Sequence, residues 1–285
     1  MTAADRLREL LDGPEILVIP GCYDALSTKL IERAGFPAAF MGGFAVSAAR
    51  IGMPDTGLIS YAEMVDQGRN ICSTVSIPIF GDGDTGYGNA VNVRRTVQGY
   101  AQAGFACIMI EDQVSPKRCG HTHGKQTVSQ GEAFARIQAA VDARDEGVDI
   151  LIMARTDANA TMGLEEAIFR AGKFVEIGAD ITFLEAPLNE EEMRAYCKEV
   201  PGPRMANMVE QGDTPILSPA RLQEIGYKIV AYPLTLMLSG IQAMEDALSA
   251  LQRGHRPRAL ADFVHLREIV GFSEYYQAEQ KYATE

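Results

Sequence analysis

The chain contains no tryptophan and only five cysteines in 285 residues. The cysteines are odd in number, widely spread and without a CxxC pair, which argues against a disulfide framework and a structural zinc site. They are Cys22, Cys72, Cys107, Cys119 and Cys197. Apolar runs stay well short of the roughly 18 residues of a membrane helix, and the segment from Met1 to Glu15 lacks the apolar core of a secretory signal. We therefore expect a reducing cytoplasm and no membrane partner.

Positive charge is also scarce. The 26 Lys and Arg residues are outnumbered by 38 Asp and Glu, so the formal net charge is -12. Binding to a phosphate backbone relies on clustered cations, and this composition argues against a nucleic-acid partner. An anionic small molecule is compatible with it, because a few local cations dominate the potential of a pocket.

Short apolar runs alternate with longer amphipathic stretches. The runs are rich in Val, Ile, Ala and Met and apolar on both faces, which is typical of strands buried in a parallel sheet. They cover 16–20, 38–42, 77–80, 107–110, 150–154, 181–184, 204–207 and 228–232. The pattern predicts an α/β fold, a (β/α)₈ barrel of the TIM type. A doubly wound open sheet is the alternative, and the lack of a GxGxxG after the first run disfavours it.

Helices are predicted between these runs and after the eighth, and several end in the glycine expected at a helix C-terminus. They cover 23–34, 61–75, 89–103, 130–146, 164–177, 189–199, 218–225 and 234–252. The tail after Pro257 is too apolar for a solvated extension. We predict one barrel domain over 1–285, in which 254–285 is a C-terminal helical extension packed on its own domain or on a neighbouring subunit.

Polar residues follow the predicted strands. Because the carboxyl ends of barrel strands converge on one rim, and that rim carries the active site, we expect these side chains to meet there. From the third run to the seventh they are Asp82, Asp84, Glu111, Asp112, Arg155, Asp157, Glu185 and Asn207.

Three of these carboxylates, Asp82, Asp84 and Glu111, form an oxygen-only set, with Asp55 as a fourth member. Hard carboxylates without a nearby histidine favour Mg²⁺ or Mn²⁺ over zinc. The alternative is that Asp82 and Asp84 are turn residues of the Gly-rich loop 81–88. Asp112 is a candidate helix cap or salt-bridge partner rather than a ligand.

The run Lys117-Arg118-Cys119-Gly120-His121 places a thiol between two cations and a histidine. Positive charge favours the thiolate, so Cys119 is a candidate to exchange a proton near neutral pH. The alternatives are a buried structural thiol, and a histidine at position 121 that only hydrogen-bonds the loop.

Taken together, these motifs resemble the isocitrate lyase / phosphoenolpyruvate mutase superfamily. The matching segments span nearly the whole chain: 20–25, 53–55, 82–88, 111–113, 117–121, 154–157, 185–187 and Asn207. The mutase branch lacks the catalytic cysteine, so Cys119 indicates the branch that cleaves carbon–carbon bonds.

The resemblance implies a site for a small 2-hydroxy dicarboxylate. In it Asp82, Asp84 and Glu111 hold Mg²⁺ largely through water, with Asp55 nearby. Cys119 protonates a carbanion, and Lys117, Arg118 and His121 tune that proton and hold negative charge. The resemblance further implies that substrate carboxylates bind to Arg155, Asn207 and the Gly42-Gly43 backbone. Glu185 orients groups or relays a proton, unless it only forms a salt bridge with Arg155. The resemblance also implies a homotetramer with swapped C-terminal helices.

Two departures from the family pattern bear on the substrate. Methylisocitrate and isocitrate lyases carry Ser-Gly-Gly where this chain has Met41-Gly42-Gly43, and a hydroxyl residue where it has Val209. Valine cannot donate a hydrogen bond to a third carboxylate, so we expect a 2-alkylmalate such as 2,3-dimethylmalate, cleaved to pyruvate and a short carboxylic acid. The alternatives are 2-methylisocitrate lyase and oxaloacetate hydrolase. Pro233, where such hydrolases typically have serine, favours a lyase.

Overall fold

Eight parallel strands close into a barrel in sequence order in the computed structural model, which describes residues 1–120 and 124–283. They are β1 Leu17–Cys22, β2 Ala39–Met41, β3 Ile79–Asp82, β4 Cys107–Glu111, β5 Leu151–Thr156, β6 Ile181–Leu184, β7 Arg204–Asn207 and β8 Ile229–Tyr232. β1 completes the ring by pairing with β8, where Leu17 lies opposite Ile229. The predicted (β/α)₈ barrel is confirmed, and each strand overlaps one predicted run.

The described residues form thirteen helices. They are α1 Ala3–Asp12, α2 Ala25–Arg33, α3 Gly43–Ile51, α4 Tyr61–Cys72, α5 Ala90–Ala103, α6 Gln130–Asp145, α7 Ala158–Met162, α8 Leu164–Ile177, α9 Glu190–Glu199, α10 Pro219–Ile225, α11 Thr235–Gln252, α12 Phe263–Ile269 and α13 Phe272–Tyr282. All eight predicted helices are present. The sequence patterns do not predict α1, α3 or α7.

Local sequence signals define the helix ends. Asn89 begins α5, because its side chain accepts hydrogen bonds from the backbone N–H groups of Val91 and Asn92. Gly104 ends that helix with φ +101°, and Gly178 ends α8 with φ +117°. This left-handed conformation suits glycine, and the predicted glycine ends are confirmed at both positions.

The interior of the barrel is filled by side chains that point inward from alternate strand positions. Ile19, Phe80, Met153 and Phe183 belong to this cluster and are at most 2% exposed. Leu7 of α1 is fully buried in the same cluster, so α1 covers the amino end of the barrel. The carboxyl end therefore remains for a ligand site.

The pattern of internal contacts divides the chain into two units, Met1–Thr235 and Leu236–Glu285. The first contains the barrel, and the second contains α12, α13 and nearly all of α11. Within the second unit, the Arg267 guanidinium lies 5.0 Å from the Phe272 ring and donates to Tyr276 Oη at 3.2 Å. A single domain with swapped helices stays a prediction. None of the helices described is both long and apolar enough to cross a membrane.

Candidate active site

A cavity opens at the carboxyl end of the barrel. Its empty space, open solvent at its mouth included, is about 570 Å³. Eleven of the fifteen predicted site residues line it: Gly42, Gly43, Asp55, Asp82, Lys117, Cys119, Arg155, Glu185, Asn207, Val209 and Pro233. Asp84 and Glu111 are buried within the same unit, at 4% and 2% exposure.

The acid cluster consists of Asp55, Asp82, Asp84 and Glu111. Asp82 ends β3, and its two carboxylate oxygens accept the backbone N–H groups of Gly43 at 2.9 Å and of Asp84 at 3.0 Å. A Cβ on Gly43 would lie 2.9 Å from Asp82 Oδ2, so only glycine permits this close approach. The Gly43 amide, predicted to bind a substrate carboxylate, is thus engaged by Asp82.

Lys117 reaches from the loop after β4 into this cluster. Its Nζ donates to Asp55 Oδ2 at 2.6 Å and lies 2.9 Å from Asp84 Oδ1, and its side chain is 5% exposed. Burial would lower the pKa of Lys117, but the surrounding carboxylates, Asp84 foremost, raise it well above its usual value. Lys117 is therefore a fixed cation of the acid cluster.

Lys117 does not fully compensate the carboxylates of the acid cluster. Burial raises the pKa of Asp55, raises that of Asp84 to about 6, and raises that of Glu111 well above its usual range. Asp55 Oδ1 and Glu111 Oε1 have no hydrogen-bond partner among the described residues. In the same residues, no three Asp, Glu, His or Cys side chains form a ready set of direct metal ligands. Buried, unpaired hard oxygens fit a Mg²⁺ ion bound largely through water.

Arg155 is a buried cation at 8% exposure beside the acid cluster, and its Nε lies 3.4 Å from Glu111 Oε2. Its Nε and Nη2 donate to the two oxygens of Asp157 at 2.8 and 3.0 Å, and its Nη1 lies 3.1 Å from Glu185 Oε2. The Phe183 ring lies 5.3 Å from the guanidinium carbon. Burial would lower the pKa of Arg155, but three carboxylates, Asp157 first, raise it well above its usual value. A permanent, oriented guanidinium is suited to binding a carboxylate.

Glu185 follows β6 and joins several groups of the rim. Besides its ion pair with Arg155, its Oε1 accepts the N–H of Ala186 at 3.0 Å, and Asn207 Nδ2 lies 3.4 Å from both of its oxygens. The salt bridge to Arg155, one of the two interpretations given for Glu185, is thus present. An orienting or relay role stays a prediction.

The two ends of the loop that carries Cys119 pair with each other through backbone contacts. Gln113 forms an antiparallel bridge with Thr127, and the Val114 N–H donates to the Gln126 carbonyl at 2.8 Å. The Gln113 side chain holds the backbone of Arg118, accepting its N–H at 3.0 Å and donating to its carbonyl at 2.8 Å. The base of the loop is therefore fixed to β4.

Cys119 itself is half-buried and lines the cavity. The next residue, Gly120, lies so close to the rim that an added Cβ would be 2.5 Å from Arg155 Nη2. The exposed Arg118 side chain lies beside Gly124, whose added Cβ would be 2.8 Å from Arg118 Nη1. His121 lies outside the described residues, and its predicted role stays untested.

Asp112 is a structural residue of the barrel wall. Its Oδ2 lies 3.0 Å from Arg170 Nη1 and accepts the Thr156 hydroxyl at 2.7 Å, and its Oδ1 accepts the Asp157 N–H at 2.9 Å. The salt-bridge reading of Asp112 is therefore the one that the contacts support.

An apolar wall completes the cavity and includes residues that the sequence analysis missed. Val209 and Pro233 were predicted, whereas Phe44 and Leu234 were not, although each adjoins a predicted residue in the chain. Asp157 was not predicted to be the partner of Arg155. The sequence signal for this pair is the carboxylate two residues after the arginine at the same strand end. The wall provides a surface for an alkyl group.

This fold and this mouth define a class of protein: a (β/α)₈-barrel enzyme whose site accepts a small acid. The family model described as phosphoenolpyruvate phosphomutase matches residues 7–252. The chain is 43% identical over 288 residues to the 2,3-dimethylmalate lyase of Eubacterium barkeri, covering 100% of this chain and 99% of that one. It is 40% identical over 273 residues to the 2-methylisocitrate lyase of Aeropyrum pernix, covering 94% and 87%. The chain belongs to the phosphoenolpyruvate mutase / isocitrate lyase superfamily, and these relatives confirm its predicted placement among the carbon–carbon lyases.

Solved structures give the same result. Oxaloacetate acetylhydrolase with 3,3-difluorooxalacetate matches with a TM-score of 0.95 and 32% identity, over 98% of this chain and 97% of that one. A crystal structure of 2,3-dimethylmalate lyase matches with a TM-score of 0.94 and 36% identity, over 99% and 95%. Phosphonopyruvate hydrolase, with oxalate and Mg²⁺ bound, matches with a TM-score of 0.88 and 30% identity, over 99% of each chain. A related structure thus contains the predicted metal.

Proposed function

We propose that the protein is a Mg²⁺-dependent lyase that cleaves a 2-alkylmalate, such as 2,3-dimethylmalate, between C2 and C3. The products are pyruvate and a short carboxylic acid, which is propionate for this substrate. The observation that carries the proposal is one shared cavity, in which the acid cluster, Arg155 and Cys119 meet the apolar wall of Val209 and Pro233. Such a cavity combines a carboxylate-binding cation, a proton donor and room for an alkyl group.

Asp82, Asp84 and Glu111 would hold the metal, largely through water, with Asp55 nearby; Mn²⁺ is the alternative ion. A bound divalent cation lowers the pKa of a coordinated hydroxyl and stabilises the negative charge of a 2-oxoacid. Lys117 already neutralises part of the acid cluster through its contacts at 2.6 and 2.9 Å.

Arg155 binds one substrate carboxylate, because its guanidinium is buried, permanently charged and fixed in direction by Asp157. Asn207 and the backbone of Gly42 and Gly43 complete this polar wall. The role of the Gly43 amide is to hold Asp82 in place, since it donates to that carboxylate.

The reaction begins when a base removes the proton of the C2 hydroxyl. The C2–C3 bond then breaks, C2 becomes the pyruvate carbonyl, and the electron pair moves to C3 and into its carboxylate as an enediolate. The Cys119 thiol gives its proton to C3 and is left as a thiolate. Lys117, Arg118 and His121 hold the negative charge, and Glu185 orients the groups around Arg155.

The apolar wall selects the substrate. Val209 is 9% exposed and cannot donate a hydrogen bond, so a third carboxylate placed against it would be left unpaired. This disfavours 2-methylisocitrate, the first alternative substrate, which would give pyruvate and succinate. Pro233 disfavours the second alternative, hydrolysis of oxaloacetate.

The test is incubation with 2,3-dimethylmalate, 2-methylisocitrate and oxaloacetate, each with Mg²⁺ or with EDTA, followed by identification of the products. We expect the highest kcat/KM with 2,3-dimethylmalate, and activity that EDTA removes. Cys119→Ser should lose turnover, whereas Cys72→Ser, a helix thiol outside the cavity, should keep it. A higher kcat/KM with another acid would establish that alternative, and full turnover by Cys119→Ser would exclude Cys119 as the acid.

We also propose that the chain is one domain, residues 1–285, and forms a cytoplasmic homotetramer in which the C-terminal helices swap between subunits. Large apolar side chains of α11 and α12 support this, since Leu248 is 62% exposed and Phe263 is 70% exposed. Light scattering should give the mass of four chains. A monomer at micromolar concentration would contradict the proposal.

A further inference from the structure

Lys125 is a buried cation that the proposed reaction does not use. Its side chain is 5% exposed. The ammonium donates to the carbonyl oxygen of Gly120 and lies 3.2 Å from Asp157 Oδ1. Burying an ammonium is costly unless fixed partners compensate it, and here the partners belong to two different elements. Lys125 therefore joins the Cys119 loop to the end of β5.

Asp157 is a rigid anchor for this contact. It is fully buried, its two oxygens accept hydrogen bonds from Arg155 at 2.8 and 3.0 Å, and its N–H donates to Asp112 at 2.9 Å. The same carboxylate thus orients the guanidinium and receives Lys125. The position of Lys125 is linked by a single residue to that of Arg155.

The Gly120 carbonyl is the other end of the contact, and Gly120 directly follows Cys119 in the chain. An added Cβ at Gly120 would lie 2.6 Å from the Glu185 carboxyl carbon and 2.5 Å from Arg155 Nη2. The hydrogen bond from Lys125 therefore holds Gly120 against the Arg155–Glu185 ion pair. A shift of about 1 Å here would change the approach of the thiol to any acid in the cavity.

We propose that Lys125 is a positioning residue. Its ammonium bridges the Gly120 carbonyl and Asp157, and this bridge, the Lys125 clasp, sets the position of the Cys119 thiol relative to the acid held by Arg155. The expected effect on turnover rests on the proposed function. The effect on the exposure of the thiol does not, because it follows from the contacts alone.

The test compares Lys125→Met, Lys125→Arg and the surface control Lys173→Met, whose ammonium pairs with Glu176 at 2.5 Å and is 40% exposed. The rate of alkylation of Cys119 by iodoacetamide is followed by peptide mass spectrometry, with Cys72 as the internal reference. Loss of the clasp should raise the Cys119 rate about tenfold, the effect of one lost charged hydrogen bond. It should lower kcat about 10- to 100-fold with a smaller change in KM. Lys125→Arg should recover most of both, and Lys173→Met should change neither.

Alkylation of Cys119 in Lys125→Met at the wild-type rate would overturn the proposal, whatever the substrate is. Equal acceleration at Cys72 and Cys119 would also overturn it, since it would mark general loosening. If Lys125→Met does not fold, Lys125→Gln, which keeps a donor for Gly120 but no charge, is judged by the same two rates. Faster alkylation in a protein that turns over none of the three acids would support the clasp and reject the proposed function.

Discussion

Replacement of Gly120 by alanine tests how tightly the Cys119 loop must lie against the rim. The new Cβ would lie 2.5 Å from Arg155 Nη2 and 2.6 Å from Glu185 Oε2, whereas ordinary contact begins at 3.4 Å. Arg155 cannot easily yield, because Asp157 holds it with two hydrogen bonds of 2.8 and 3.0 Å. The loop must therefore move by roughly 1 Å, a displacement that lowers turnover about 100-fold.

The assay is steady-state kinetics with 2,3-dimethylmalate at saturating Mg²⁺, combined with urea unfolding. We expect kcat/KM of Gly120→Ala to fall about 100-fold with little change in the unfolding midpoint, because the loop lies outside the barrel core. Gly172→Ala is the matched control. Its Cβ meets no atom within 4 Å, so its kinetics should stay unchanged and α8 should gain up to about 1 kcal/mol.

The reasoning is refuted if Gly120→Ala turns over at the wild-type rate while Gly172→Ala behaves as expected. In that case the loop would have to catalyse from a position other than the one described. A large loss in both variants would instead show that the assay reports on folding rather than on the rim.

Other perturbations separate the fold, the specificity and the metal. Arg170→Met leaves the buried Asp112 carboxylate without its cation, so the free energy of unfolding should fall by about 3–5 kcal/mol, and an unchanged urea midpoint would contradict this. Val209→Ser adds a hydrogen-bond donor to the apolar wall and should raise the kcat/KM ratio of 2-methylisocitrate over 2,3-dimethylmalate about tenfold. If Val209→Ala, which adds no donor, shows the same ratio as Val209→Ser, the wall does not select the substrate in this way. Asp82→Asn should weaken Mg²⁺ binding in calorimetry at least about tenfold, whereas the exposed Asp66→Asn should not, and equal affinities would reject the acid cluster as the metal site.

The barrel was predictable because its strands are apolar on both faces and short. The bounds of β6, Ile181–Leu184, and of β7, Arg204–Asn207, coincide with the predicted runs. Of the helices that were missed, α1 carries a clear start signal that went unused, since Thr2 accepts the Asp5 N–H, whereas α3 and α7 carry weak patterns. α7 has only five residues, too few to display a helical period, and α3 begins at a glycine. Tertiary packing, not local pattern, holds these segments in helical form.

The membership of the site was also predictable, since parallel strands deliver Asp82, Glu111 and Arg155 to one rim. The pairing within it was not. Lys117 lies two residues before Cys119 in the chain, yet its ammonium contacts Asp55, which is 62 residues away in sequence. A cation beside a thiol in sequence indicates only that both lie on one loop. Which carboxylate each cation reaches depends on how the loop folds back over the mouth.

The acid cluster arises from β3, β4 and the loops beside them, whereas Val209 and Pro233 follow β7 and β8 on the far side of the ring. On the proposed function, the residues that would hold the metal and those that would select the substrate thus belong to separate βα units. We therefore expect that substitutions after β7 and β8 change which acid is accepted and leave the acid cluster intact. Related barrels 30% to 36% identical to this chain carry the names of a lyase, an acetylhydrolase and a phosphonopyruvate hydrolase, so this fold serves more than one reaction.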